Sequence, residues 1–254
     1  MAAAAPDPRV EQLLRLGDNC LVLSHRLSEW IGRAPALEEE LAMANVGLDL
    51  LGQARHWLSL AGEAEGRGRD ENALAYLRDV GAFRNALLVE LPNGDFAATT
   101  ARQYFFDAWH HLALQGLARA ADARVAEIAA KSLKEVTYHL RRSEDWVVRL
   151  GDGTDESRRR MQAGVDEMWP FVGELFEMDA VERAALDAGA GVDLAALREP
   201  WLARVQAVLA EATLAVPAAK WHQRGGKRGV HTEHLGRLLA EMQFLQRAYP
   251  GAAW

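Results

Sequence analysis

The sequence predicts an all-α fold, a four-helix bundle with additional C-terminal helices, on three observations. Strand signals are almost absent, and the good helix formers alanine, leucine, arginine and glutamate dominate. Long segments repeat apolar residues at alternating three- and four-residue steps, the period of a helix face. Glycine, proline and asparagine gather at a few places and cut the chain into helix-length pieces.

The first helix is expected from Pro8 to Trp30, with Gly32 to Pro35 as a tight connection. A second begins near Ala36, and Glu38, Glu39 and Glu40 fall in its first turn, where carboxylates complement the helix dipole. Its apolar stripe reads Leu37, Leu41, Ala44, Leu48 and Leu51, a pattern that packs inward, and Gly66 and Gly68 end it. A shorter helical stretch covers about Asp70 to Val89, and Leu91-Pro92-Asn93-Gly94-Asp95 is a turn signal.

The third long helix runs from about Phe96 to Ala121. The fourth, from about Asp122 to Leu150, carries Ala129, Leu133, Val136, Leu140, Val147 and Leu150 on one face, and Gly151-Asp152-Gly153 terminates it. Joined by short loops and one longer connection, these four make the bundle, about residues 8–150. A C-terminal helical extension, about residues 151–254, holds helices near Thr154 to Phe176, Asp179 to Asp187, Leu194 to Glu211 and Glu233 to Ala248, the first kinked or interrupted at Pro170. No low-complexity linker or short repeat divides the chain, so a single domain over residues 1–254 is the economical reading.

A chain of 254 residues, 50% hydrophobic, buries a large core. With 29 basic against 36 acidic residues and a net charge of -7, nucleic acid or an anionic membrane is not expected as its main partner. The single cysteine, Cys20, excludes an internal disulfide framework and a cysteine-rich zinc site, which fits a reducing, cytoplasmic setting. The opening Met1 to Pro8 has no basic stretch, and its prolines cut any apolar run, so it does not read as a signal peptide. No stretch approaches the ~20 apolar residues that span a bilayer.

Several polar residues invite a chemical reading. Val136 lies on the core stripe of the fourth helix and His139 one turn on; Glu135 is spaced to pair with His139 or with Lys131. Asp107 stands among Phe105, Phe106 and Trp109, where an unpaired carboxylate is costly to bury. It is expected to ligate a metal or to hold His139 or an arginine, and with His110 it makes an Asp-x-x-His pair. The first helix offers no acid between Asp18 and Glu29, only Ser24 and His25.

Further on, Arg224-Gly-Gly-Lys-Arg-Gly-Val-His-Thr-Glu-His234 places glycines and cations before a helix N-terminus. Lys227, Arg228, His231 and His234 could there contact an anion such as a phosphate, or serve as a cationic loop with Thr232 as N-cap that docks a partner or the chain's own acidic face. The spacing is no phosphate-loop motif and no His-Glu-x-x-His zinc helix. No Gly-x-Ser-x-Gly elbow exists, and Cys20 is expected buried in the first helix.

The strings Leu16-Gly-Asp-Asn-Cys-Leu-Val-Leu-Ser24, Gly47-Leu-Asp-Leu-Leu-Gly-Gln-Ala54, Ala101-Arg-Gln-Tyr-Phe-Phe-Asp-Ala-Trp109 and His231-Thr-Glu-His-Leu-Gly236 resemble the ferritin-like structural subunits of bacterial phenylacetyl-CoA epoxidases, which are multicomponent monooxygenases. The resemblance runs from Leu16 to Trp254 and implies a ferritin-like bundle. A ferritin-like di-iron site takes a carboxylate from each of two helices and a Glu-x-x-His pair from each of the other two. In the paralogous catalytic subunit, Asp-Glu-Ala-Gly-His falls on Asp49 to Gln53 and Lys-Glu-Glu-Ser-Phe-His on Lys134 to His139. Its ligand Glu and His thus become Leu50 and Gln53, its other ligand Glu becomes Val136, and its Asp and second His survive as Asp107 and His139.

The resemblance therefore implies a subunit with no catalytic residues and no metal of its own. It would pair with the di-iron catalytic subunit, and further subunits would supply assembly and electrons from NADPH. Contact with the CoA thioester would be indirect. Trp57, Trp109 and Trp146 are candidate aromatic positions for that pairing. Two rival readings remain: an oxygenase in its own right using Asp107, His139 and His25, and a CoA-binding module acting through Lys227 and Arg228.

Overall fold

Asp7 accepts the Arg9 backbone N–H and Pro8 opens the first turn of α1 (Pro8–Ser28), where a missing N–H costs nothing. The computed structural model describes residues 7–219 and 221–252, and every regular element among them is helical. Met1 to Pro6, most of the segment read as no export signal, lie outside the described residues, as do Lys220 and the last two positions. Among the described residues no helix is long and apolar enough to cross a membrane.

A turn after α1 leads into α2 (Leu37–Glu65), which stops at Gly66, whose φ of 66° is the left-handed conformation that glycine adopts without steric cost. The stretch expected to be helical from Asp70 to Val89 is broken instead. It holds α3 (Glu71–Tyr76), capped by Asp70, a single 3-10 turn at Val80–Ala82, and α4 (Leu87–Glu90). The reason lies in α1: Asp18, fully buried, accepts hydrogen bonds from the Arg78 guanidinium and from the Arg84 backbone N–H at 2.8 Å. A charge so deep is tolerable only when paired, and pairing it draws the segment across α1 in extended form.

Asp95 caps α5 (Phe96–Leu117), which ends four residues short of the expected Ala121. Asp122 caps α6 (Ala123–Gly151), and Thr154 and Ser157 form a capping box at α7 (Asp155–Met168). Pro170 prevents α7 from continuing to Phe176, and two 3-10 turns take over at Trp169–Phe171 and Gly173–Phe176. Then follow α8 (Ala180–Asp187), α9 (Arg198–Glu211, preceded by a 3-10 turn) and α10 (Glu233–Ala248). The central layer pairs α1 with α2 and α5 with α6, and α2 also meets α6. α7 and α9 cover α5 and α6, α8 lies on α1, and α10 closes over α3 and α4.

The stripe on α2 is a correction. Leu37, Leu41, Leu48 and Leu51 are 67%, 56%, 65% and 42% exposed. The face that packs inward carries Val46, Leu50, Gln53, Ala54, Trp57 and Ala61, all nearly inaccessible to solvent. This helix is apolar on two sides, and the side with small residues wins because Gly47, Ala54 and Ala61 let α1 approach closely. On α6 the expected stripe holds: Ala129, Val136, Leu140 and Val147 are buried, and Leu133 and Leu150 pack partly buried against them.

The extension seals the aromatic side of α5. Phe105 packs against Trp169 and Trp201, and the Trp201 indole donates to the Phe105 carbonyl at 3.1 Å. Gly164 makes the crossing of α7 over α5 possible, since a Cβ there would lie 2.9 Å from the Ala98 Cα and 3.0 Å from the Ala97 carbonyl oxygen. Both neighbours are backbone and cannot rotate away. Replacing Gly164 with alanine should therefore destabilise the chain by about 1–3 kcal/mol despite alanine's better helix propensity. Urea unfolding checks this, and an unchanged midpoint would contradict the close crossing.

Candidate functional site

Leu50 and Gln53 on α2, Asp107 on α5, and Val136 and His139 on α6 are all buried in the bundle, none more than 1% exposed. Leu50 and Val136 supply only hydrocarbon. The three polar members are each held by a neighbour. The Gln53 amide donates to Glu135 Oε2 at 2.9 Å and its oxygen faces the Cys20 thiol at 3.8 Å. His139 Nε2 donates to Asp49 Oδ2 at 2.9 Å. Asp107 accepts from Gln103 Nε2 at 2.7 Å and from Ser143 Oγ at 2.9 Å.

Two expectations are corrected here. Asp107 holds neither His139 nor an arginine, because residues on its own helix and one turn along α6 reach it first. Glu135 pairs with neither His139 nor Lys131; it takes the amide across the seam, and Lys131 approaches His56 instead at 3.0 Å. The seam between α2 and α6 is thus polar along its length, with Arg142 bonded to Glu39 at one end and Arg124 to Glu63, at 3.3 Å, at the other. On α1, Ser24 donates to the Gly47 carbonyl at 2.7 Å, and His25 is half-buried with its pKa lowered, chiefly by burial.

Burial pushes the Asp107 carboxyl up to about 6 against the opposing pull of His139 and of its two hydrogen bonds. A protonated Asp107 is also what the geometry accommodates. Ser143 Oγ lies 2.9 Å from Asp107 and 3.1 Å from the Leu140 carbonyl, and its single proton serves one of them. Below about pH 6 the protonated Asp107 donates to Ser143 and both contacts are satisfied, whereas the ionised carboxylate accepts from Ser143. Burial and the neighbouring His139 bring His110 down to about 3, so it is neutral, and Nδ1 of both rings has no partner. Cys20 is fully buried, as expected, and burial raises its thiol far above the range in which thiolates form.

A di-iron centre does not fit this set. At the positions that the resemblance assigns to ligands, Leu50 and Val136 carry no donor atom, the Gln53 amide is bonded to Glu135, and His139 turns Nε2 to Asp49. Among the described residues no three His, Cys, Asp or Glu side chains are arranged to hold a metal ion.

The glycine-rich segment before α10 is not an open anion cradle. Lys227 Nζ donates to Glu182 Oε1 at 2.8 Å and to the Glu177 carbonyl at 2.6 Å. Glu182 also pairs with Arg15 at 2.6 Å. His231 donates from Nδ1 to Glu90 Oε2 at 2.7 Å and from Nε2 to the Phe83 carbonyl at 3.0 Å, an arrangement that only the imidazolium satisfies. Burial alone would lower its pKa, but the hydrogen bond and charge of Glu90 outweigh burial and the net shift is upward. Thr232 caps α10 as expected, and His234 is half-buried, its carbonyl accepting Arg26 at 3.4 Å. Arg228 remains exposed.

Sequence reasoning missed the carboxylates that receive this segment, Glu90, Glu174 and Glu182. A signal was present: Leu87-Leu-Val-Glu90-Leu91 and Glu174-Leu-Phe set an acid among apolar residues, as at Asp107. The tryptophans proposed as partner contacts face inward. Trp57 and Trp109 are buried, and Trp146 is half-buried, edge-on to Phe96 at 5.0 Å.

A family model described as phenylacetic acid catabolic protein matches residues 1–254. The C subunit of the 1,2-phenylacetyl-CoA epoxidase of Escherichia coli (strain K12) is 55% identical over 241 residues, which cover 95% of this chain and 97% of that protein.

The buried centre makes two expectations measurable. The raised Asp107 pKa contributes stability that is complete below the usual carboxylate pKa near 4 and is lost as pH rises through about 6. Asp107→Asn keeps the side chain's shape and removes the charge, so it should be the more stable form at pH 7.5, by about 3 kcal/mol for a shift of about two pH units. Urea unfolding of both proteins from pH 4 to 7.5 should show the difference growing with pH. Val136→Glu, in contrast, should cost about 3 kcal/mol or more, since it puts an unpaired carboxylate into an apolar face; thermal melts read this, and a variant as stable as the parent would mean a wet face.

Proposed function

The chain belongs to the phenylacetic acid catabolic protein family, and from that membership we propose that it is the structural, non-catalytic subunit of a phenylacetyl-CoA epoxidase. In this role it pairs with the di-iron catalytic subunit and supports its fold while the latter performs ring epoxidation. The high identity to the Escherichia coli relative, over nearly both full lengths, supports the reading. The observation that carries it is chemical: Leu50, Gln53 and Val136 stand where the catalytic paralogue is expected to place iron ligands, and none can replace those ligands.

The rival readings draw less support. An oxygenase using Asp107, His139 and His25 needs free donor atoms, but Asp107 is bonded to Gln103 and Ser143, and His139 to Asp49. A CoA-binding loop needs a free Lys227, which is engaged with Glu182. The expected chemistry of the complex, with iron in the catalytic partner and NADPH at a reductase, requires nothing further of these residues.

Purified alone, the chain should contain well under one iron per molecule by elemental analysis; stoichiometric iron with a di-iron spectrum would overturn the reading. The catalytic subunit expressed without this chain should be poorly soluble or inactive. Adding this chain should restore both properties, with activity tracking the co-eluting complex in size-exclusion chromatography. A catalytic subunit fully active by itself would leave this chain without the role.

A further inference from the structure

The segment that leads into α10 is fastened by one side chain whose contacts suit a single protonation state. The His231 side chain is fully buried, with Nδ1 2.7 Å from Glu90 Oε2 and Nε2 3.0 Å from the Phe83 carbonyl oxygen. The Phe83 oxygen only accepts. The Glu90 carboxylate already takes hydrogen bonds from Asn85 Nδ2 at 2.8 Å and from the Thr232 N–H and hydroxyl at 2.6 and 2.8 Å. An imidazolium, with two N–H donors, serves both contacts. A neutral ring has one donor, and either tautomer turns a lone pair onto an oxygen where no water reaches it.

The surrounding charges favour the cation. Burial lowers the His231 pKa, but Glu90 on α4, the Phe83 carbonyl and Asp18 on α1 outweigh it. The cations packed nearby are committed elsewhere. Arg26 of α1 donates to the Glu90 and His234 carbonyls, Arg78 and Arg84 from between α3 and α4 hold Asp18, and Lys227 of the same segment holds Glu182. On α10 itself Glu233 is exposed and His234 half-buried. The segment has no slack against its support. A Cβ on Gly226 would lie 2.2 Å from the Asn85 carbonyl oxygen, and one on Gly229 2.3 Å from the Gly81 carbonyl oxygen, so backbone rests directly on backbone. The far half of α10 is fastened separately, by Gln243 to the Ala75 and Arg78 carbonyls at 3.0 and 2.9 Å.

We propose that His231 is a pH-sensitive latch: its imidazolium clamps residues 225–232 onto Glu90 and Phe83, and loss of that one proton releases the segment while the far half of α10 stays docked. A released histidine has the ordinary pKa near 6.5. The clamp is therefore at full strength below that value and weakens as pH rises through the raised folded one. Between the two, the opening constant grows by at most ~tenfold per pH unit, the limit for one proton.

Hydrogen exchange of the full chain, followed by NMR from about pH 6 to about pH 9 and corrected for the intrinsic rate, reads the opening. The Gly225, Val230 and Thr232 amides, bonded to Glu174, to the Gly225 carbonyl and to Glu90, are the reporters. Their protection should fall by up to ~tenfold per pH unit in step with the titration of the His231 ring, while the Gln243 and Phe244 amides keep theirs. His231→Asn has no titrating ring and should leave the reporters weakly protected at every pH. Glu90→Gln removes the facing charge and should bring the ring's titration down toward the ordinary value. Ring and reporters are read on the unaltered chain, so a variant that fails to fold does not decide the matter. A His231 ring that titrates at or below the ordinary value overturns the proposal. So does reporter protection that ignores the ring's titration, or a loss that Gln243 and Phe244 share equally.

Discussion

Polar side chains at the centre of the helix bundle depend on partners inside the protein, and Gln53, Asp107 and His139 each reach one. Water does not reach a site where Gln53, Asp107 and His139 are at most 1% exposed. A buried polar group without a partner costs a few kcal/mol, a large part of the net stability of a domain. Leu50 and Val136 avoid that cost by carrying no polar atom. Gln53 and His139 meet it by crossing the seam to Glu135 and Asp49, and Asp107 by bonding to Gln103 and Ser143. The bundle is thus closed by hydrogen bonds between α2 and α6, at the level where the catalytic paralogue is expected to have metal.

The same constraint explains the other end of the molecule. Asp18, Glu90, Glu174 and Glu182 are carboxylates at most 2% exposed. Each draws donors from distant parts of the chain: Arg78 and Arg84 to Asp18, His231 and Thr232 to Glu90, Gly225 and Leu87 to Glu174, Arg15 and Lys227 to Glu182. These pairs fold the segment before α10 onto α1 and α4. A buried charge is a demanding anchor, because removing one partner strands the other in a low-dielectric setting. The glycines at 225 and 229, with φ of 146° and 77°, let the backbone turn its N–H groups toward Glu174.

The helical architecture was legible because it rests on local chemistry. Asp95, Asp122, Asp179 and Thr232 are caps that announce helix starts, Gly66 stops α2, and Pro170 stops α7. The stripe of α6 was legible because polar residues occupy its other faces. The broken run between Asp70 and Val89 was not, since what breaks it is Asp18, more than fifty positions away in the chain. Among the site residues, the loss of donors at Leu50, Gln53 and Val136 is plain in the residue names. The partner chosen by Asp107 is not, because several donors stand at helical spacing and only coordinates tell which arrives.

What the sequence determined by itself is the set of helices, their caps and the inventory of groups that can or cannot hold a metal, because these follow from backbone sterics and side-chain chemistry. Tertiary structure alone decided which of two apolar faces of α2 became the core. Both faces satisfy the helical period. The choice fell to close packing: α1 can approach over Gly47, Ala54 and Ala61, and it cannot approach as closely over Leu37, Leu41, Leu48 and Leu51. That decision leaves four leucines of α2 facing outward, while Leu50 and Trp57 close the core.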